Sequence, residues 1–228
     1  MKGFGDNKSL NSNKLNNPKG YKDLVLKNKL NLAKSYLISG DVSQAEKIYS
    51  HLINNGFVSY DLLFSYALLS RNRSNFKFAK NLLKRSISKY PTKIDHYILL
   101  AEIFRLEKDF TKAQELLFKA LKIDPRSSNT AYNLSLLFRD LGKRAEAISS
   151  INKAIKFMPT NYVYKLLKSD LLKDLGNYNE SSSILLDLYS AKNIKDKKDI
   201  LLMLSTVKRL DKNFNEAEKI LLETIKQY

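Results

Sequence analysis

Small side chains return at a fixed interval along this chain, and that interval constrains its fold more than any other feature. Ala33, Ala67, Ala101, Ser135 and Ser169 stand 34 residues apart, and Ala45, Ala79, Ala113, Ala147 and Ser181 repeat the step twelve residues later. Pro91, Pro125 and Pro159 keep the spacing, and Ser205 and Ala217 continue both series after an insertion of two residues. A period held this long marks a repeat array, in which one supersecondary unit buries its apolar face only against its neighbours.

Within a unit the apolar positions follow helical spacing. Leu100, Ala101 and Phe104, then Ala113, Leu116, Leu117, Ala120 and Leu121, fall at i, i+3, i+4 and i+7 steps, which predicts two amphipathic helices per repeat. Gly40, Gly142 and Gly176 stand between the helices of their units, where a left-handed residue ends a helix without steric cost. Ser74, Lys108 and Lys212 occupy the other three turns, which are expected to be slightly less favourable. The prolines follow the second helix, because a residue without an amide hydrogen suits a stop or a first turn rather than an interior. Where two helices cross closely, only a small residue lets the backbones approach, which explains the alanines and serines.

This set of features resembles the tetratricopeptide repeat, TPR, across residues 26 to 228. The third and fourth units carry it best: Leu100-Ala101 with Phe104, Ala113, Ala120 and Pro125, then Leu134-Ser135 with Phe138, Gly142, Ala147, Ala154 and Pro159. Departures are Ser70 and Lys208 at a usually large apolar position, Ser86 and Thr224 at a usual alanine, and Phe57 or Asn193 at a usual proline. The resemblance implies an all-α, right-handed TPR superhelix, an α-solenoid of about six helix-turn-helix repeats at 26–59, 60–93, 94–127, 128–161, 162–197 and 198–228. Residues 1–25 hold five lysines against two aspartates among Asn, Gly and Ser, and are expected to form a disordered basic leader. Its opening, Met1-Lys2-Gly3-Phe4-Gly5, is similar to leaders of bacterial TPR proteins.

Little in the sequence carries chemistry. The absence of cysteine excludes thiolate metal sites and cysteine nucleophiles, and the two histidines, His51 and His96, share no carboxylate or serine pattern. Both are expected as surface or partly buried imidazoles. Gly3-Phe4-Gly5 lacks the third glycine, lysine and hydroxyl of a phosphate loop. Glu102, Asp170 and Asp174 recur at helical spacing without the apolar setting that raises a carboxylate pKa for acid catalysis. A non-enzymatic chain with no cofactor and no metal is therefore expected. The longest apolar stretch, Leu62–Leu69, is broken by Ser65 and falls short of a membrane span, and with no export signal the cytoplasm is the default location.

The resemblance also implies where a partner docks. First helices line the concave groove, with groove residues one, four and five positions after each small residue. The fourth position reads Leu37, Arg71, Arg105, Arg139, Lys173 and Arg209, and Lys34 holds the first position of its unit. Such a cationic row suits capture of a protein or peptide partner through an acidic segment or a C-terminal carboxylate. Glu102 and Asp170, three residues before Arg105 and Lys173, offer internal partners instead, and could reach Arg71 and Arg139 if first helices lie side by side. Arg71, Arg139 and Arg209, with no acid three residues before them, are the strongest candidates.

The net charge of +17 gives a second reading. The second unit alone contributes +7, and Arg73, Lys77, Lys80 and Lys84 share one helical face that could meet nucleic acid or another anionic surface. Nucleic acid is the weaker choice, because the clearest aromatics, Phe104 and Phe138, take core positions rather than exposed stacking ones. A third reading makes the chain the recognition module of an enzyme on a separate chain. Ile220, Leu221 and Ile225 of the last helix leave self-association through that end open.

Overall fold

The structure is a computed structural model that describes residues 18–192, 194 and 197–227. Among the described residues there are twelve α-helices and no strands: α1 (Pro18–Ile38), α2 (Val42–Asn54), α3 (Tyr60–Asn72), α4 (Phe76–Lys89), α5 (Ile94–Leu106), α6 (Phe110–Ile123), α7 (Ser128–Asp140), α8 (Arg144–Phe157), α9 (Tyr162–Asp174), α10 (Tyr178–Ser190), α11 (Lys198–Leu210) and α12 (Phe214–Gln227). They make six helix-turn-helix pairs. The chain divides within α5 into two compact units, residues 1–96 and 97–228.

The first helix begins at Pro18, ahead of the expected residue 26, so residues 18–25 are helical rather than part of a disordered leader. Proline is favoured in a first helical turn, where its missing amide hydrogen costs no intrahelical bond. The rest of the expected leader, residues 1–17, lies outside the described residues, as does Asn193.

The turn inside each pair is built the same way six times. Gly40, Gly142 and Gly176 have φ of 85°, 70° and 76°, and Ser74, Lys108 and Lys212 have 58°, 62° and 63°. Three non-glycine residues thus hold the left-handed conformation that glycine takes freely. Around Lys108 its amide donates to the Arg105 carbonyl at 3.0 Å and the Asp109 amide to the Phe104 carbonyl at 2.8 Å, which closes the last turn of α5. Gly142 and Lys143 repeat the two bonds to Arg139 and Phe138 at 2.9 and 2.8 Å.

The residue after each turn caps the second helix, a signal the sequence reading does not use. Asp41, Asn75, Asp109 and Asn177 accept amide hydrogens three residues on at 3.1, 3.3, 3.2 and 3.4 Å, and Asn213 accepts from Glu216 at 3.3 Å. Lys143 breaks the series and supplies no side-chain cap to α8.

The small residues lie where the paired helices touch. All twelve members of the two series are at most 4% exposed. Where serine replaces alanine its hydroxyl is satisfied: Ser135 Oγ donates across the pair to the Ala147 carbonyl at 2.9 Å, Ser169 and Ser181 join hydroxyl to hydroxyl at 2.8 Å, and Ser205 Oγ donates within its own helix to the Leu202 carbonyl at 2.9 Å. The departures are accommodated locally. Ser70 Oγ donates to the Tyr66 carbonyl at 2.7 Å, Thr224 Oγ1 to the Ile220 carbonyl at 2.7 Å, and Lys208 pairs with Glu216 at 2.9 Å.

His96 differs from expectation. It is fully buried, stacked against Tyr60 at 4.5 Å and Phe64 at 5.3 Å between ring centroids. Burial pushes its pKa down to about 4, so it is a neutral core residue. Its register explains this: it stands five residues before Ala101, the position that Leu62, Thr130, Tyr164 and Ile200 also bury in their helices. His51 is exposed, with Lys29 Nζ 3.4 Å from its Nε2.

Candidate partner-binding groove

The predicted cationic row falls in one structural place, the last turn of the first helices. Arg71 closes α3, Arg105 α5, Arg139 α7, Lys173 α9 and Arg209 α11. A helix C-terminus carries partial negative charge, so a cation there is favourable by about 0.3–1 kcal/mol with no ligand present.

Within residues 97–228 aspartates interleave with that row. Arg105 meets Asp140 at 2.5 Å, Arg139 meets Asp140 at 3.7 Å and Asp170 at 3.5 Å, and Lys173 meets Asp170 at 2.5 Å and Asp174 at 3.6 Å. Asp170 on α9 therefore bridges its own Lys173 and Arg139 of the preceding first helix. Its hydrogen bond raises the Lys173 ammonium above its ordinary pKa. Arg139 has no acid three residues before it, and its contact with Asp170, 31 residues on, is the one expected if adjacent first helices lie side by side. Arg209 is exposed and takes no part in these pairs. Within residues 18–96, Lys34 pairs with Asp61 at 3.2 Å and Arg71 donates to Asn72 Oδ1 at 2.9 Å.

The second-repeat cations make a looser set. Arg73 pairs with Glu46 of α2, Lys80 is half-buried, and Lys77 and Lys84 are exposed.

Next to Lys173 the groove deepens. A cavity of about 470 Å³ opens between the first helices α9 and α11, lined by Leu166, Asp170 and Lys173 on one side and by Leu202, Met203 and Thr206 on the other. Its volume falls in the range of ligand-binding clefts, about 300–1,000 Å³. Asp170, Lys173 and Thr206 stand at the first and fourth groove positions. Leu166, Leu202 and Met203, which the sequence reading does not single out, lie three and two residues before Ser169 and Ser205 and supply the apolar walls. The repeat register could have flagged them, since these positions occupy the helix face next to the groove positions.

Among the described residues no group of three or more His, Asp or Glu side chains could hold a metal ion, and no helix is long and apolar enough to cross a membrane.

Known proteins share this architecture. The family model described as Tetratricopeptide repeat matches residues 95–127 and 128–161. Among curated proteins, the BBSome complex member BBS4 of Bos taurus is 30% identical over 83 residues, and Protein O-mannosyl-transferase TMTC3 of Homo sapiens is 24% identical over 170. Those matches take in 36% and 72% of this chain but only 16% and 18% of the relatives' lengths. Of solved structures, Pseudomonas aeruginosa pilF aligns with a TM-score of 0.71 and 18% identity over 90% of this chain and 93% of that one. A tetratricopeptide repeat protein from Parabacteroides merdae reaches 0.73 with 14% identity over 94% and 81%. YrrB, a TPR protein with an unusual peptide-binding site, reaches 0.55 with 13% identity over 78% and 91%. At these identities the structures establish a shared fold. With its 34-residue period, six helix pairs and matched third and fourth repeats, the chain is a tetratricopeptide repeat protein, built on a scaffold fold typical of protein–protein interaction.

Proposed function

We propose that this protein is a non-enzymatic adaptor that docks a peptide segment of a partner protein in the groove of its first helices. The carrying observation is the cavity between α9 and α11, which combines apolar walls with Lys173 on its rim. An apolar side chain of the peptide fills the cavity, and Lys173 and Arg209 receive an acidic residue or a C-terminal carboxylate. Lys173 is held by Asp170 at 2.5 Å and faces Asp174 at 3.6 Å, and an ammonium with three N–H donors keeps a third for a ligand. Each such rim contact contributes about 0.2–1 kcal/mol, so the buried apolar side chain supplies most of the affinity. Lys34 and Arg71 in one unit, and Arg105 and Arg139 in the other, extend the same reading along the first helices. That YrrB, of like fold, carries a peptide-binding site supports a peptide as the ligand class.

The test is capture from a nuclease-treated lysate, comparing wild type with a Met203→Lys, Arg209→Glu variant of unchanged helicity. Proteins lost only from the variant, each rebinding as an isolated peptide segment, are the expected result. Capture undiminished in the variant would sink the groove reading. The exposed Lys77 and Lys84 favour one alternative, an anionic surface or nucleic acid held by Arg73, Lys77, Lys80 and Lys84. Its signature is nuclease-sensitive material retained by both proteins, with binding that falls steeply with salt. A co-purifying enzyme lost from the variant would make the chain that enzyme's recognition module.

A further inference from the structure

Three first helices carry an aspartate six residues before their small residue, and two of these acids are matched from the first helix before. Asp61 of α3 pairs with Lys34 of α1 at 3.2 Å, and Asp95 of α5 accepts the Tyr60 hydroxyl of α3 at 2.5 Å, both within residues 1–96. Asp199 of α11 holds the same register and lines the cavity between α9 and α11. The position that Lys34 fills on α1 is Asp170 on α9, a second carboxylate already held by Lys173 and Arg139. The position of Tyr60 is Tyr162, which is 43% exposed.

α11 supplies no substitute. Lys197 turns to α10, its ammonium donating to the Tyr189 carbonyl and lying 5.2 Å from the centre of the Tyr189 ring. Lys198 adjoins Asp199 in sequence, but successive helical residues do not face each other. Leu202 and Met203, three and four residues on, are apolar walls of the cavity. Among the described residues no cation or hydroxyl pairs with Asp199, which is exposed. An acid in a first turn also suits the helix dipole, a role that needs no partner.

Charge of opposite sign thus borders the cavity at the two ends of the helices that form it. Asp199 lies in the first turn of α11, and Lys173 and Arg209 lie in the last turns of α9 and α11. From Asp199 to Arg209 is about 15 Å along the helix axis, which an extended peptide covers in about four or five residues. We infer that Asp199 selects a basic residue in the docked segment, so that the partner carries a lysine or arginine, then an apolar side chain for the cavity, then an acid or C-terminal carboxylate. This rests on the peptide docking proposed above and fixes the sign of charge at the far end of the cavity. A basic preference runs against the net charge of +17, so general attraction cannot produce it.

The probe is a library of N-acetylated octapeptides with leucine fixed at the fifth position, a free C-terminus and every other position random. It is passed at low salt over immobilised full-length protein, wild type or Asp199→Asn, Asp199→Lys or Met203→Lys, each of unchanged helicity by circular dichroism. Retained peptides are sequenced by mass spectrometry, and a second library with glycine in place of leucine reports the apolar anchor. Wild type is expected to enrich lysine or arginine on one side of the leucine by about two- to fivefold, the range of an exposed ion pair. Asp199→Asn loses that enrichment and Asp199→Lys turns it to aspartate or glutamate, while both keep the preference for leucine over glycine. The helix dipole alone would leave the retained sequences unchanged. Leucine preference without a basic one, or a basic one that survives in Asp199→Asn, overturns the role of Asp199 and leaves peptide docking in place. No preference for leucine in wild type, or an equal one in Met203→Lys, overturns docking in this cavity and this inference with it.

Discussion

The pairs α7/α8 and α11/α12 solve one packing problem with different residues in different places. Both set a serine against an alanine at the crossing, Ser135 with Ala147 and Ser205 with Ala217, and all four are at most 4% exposed. The α7/α8 turn has glycine at φ 70° but a lysine, Lys143, in the capping position. The α11/α12 turn has a lysine at φ 63° but a capping asparagine, Asn213, whose amide also donates to Glu216 at 2.7 Å. Beyond the turn, Ile151 of α8 is fully buried and Leu221 of α12 is 40% exposed. The contact between paired helices is thus kept strictly, while turn, cap and outer face vary with little consequence for the fold.

The largest contrast should come from the outer face. Ile151→Ala is expected to cost about 2–5 kcal/mol, because it empties a site enclosed by α9. Leu221→Ala, at the same register but open to water, should cost about 1 kcal/mol or less. Urea unfolding midpoints read this difference at protein concentrations low enough to keep the chain monomeric. Equal losses would mean that α12 is covered in solution as fully as α8 is. At the crossing the two pairs should instead behave alike. Ala147→Leu and Ala217→Leu are each expected to cost about 1–3 kcal/mol by forcing the helices apart. A variant melting like wild type would show that the second small series does not mark the closest approach.

How far the sequence was informative follows from the same contrast. The period, the helix pairs and the six left-handed turns were legible because each depends on residues a few positions apart, whose spacing fixes the face on which they lie. The caps were equally legible, since Asp41, Asn75, Asp109, Asn177 and Asn213 each follow a turn residue, but a reading focused on small and apolar residues passes over them. His96 needed only its register to be placed in the core. The groove was half legible. Its cations are where the repeat puts them, but their pairing depends on how close adjacent first helices come. The i, i+3 rule finds Asp170 beside Lys173, whereas its contact with Arg139 on α7 could be stated only conditionally, since it requires adjacent first helices to lie side by side. The cavity is a gap between two helices, and no residue type announces a gap.

The capping contrast makes the next prediction. Lys143 puts a positive charge where α8 has unpaired amides and partial positive charge of its own. Glu146 stands three residues on, as Glu180 and Glu216 do behind the capping Asn177 and Asn213, so Lys143→Asn rebuilds a reciprocal cap. The expected gain is about 1 kcal/mol, seen as slower amide exchange in the first turn of α8. Asn213→Lys should take a similar amount from α12. If both substitutions are silent, the cap positions contribute nothing that the packed crossing does not already supply.

The smallest effect lies in the turns and separates backbone strain from packing. A side chain in the left-handed region costs about 1–2 kcal/mol, while glycine loses about 0.5–1 kcal/mol more chain entropy on folding. Lys212→Gly should therefore stabilise α11/α12 by the difference, about 0.5–1 kcal/mol. At Gly142 a methyl group would meet no atom within 4 Å, so Gly142→Ala adds backbone strain and no clash. It should destabilise α7/α8 by the same amount with opposite sign. The pair of measurements is self-checking. A larger loss at Gly142 than gain at Lys212 would mean that the lysine side chain makes a compensating contact at its turn, and Lys212→Ala would then lie below wild type in stability.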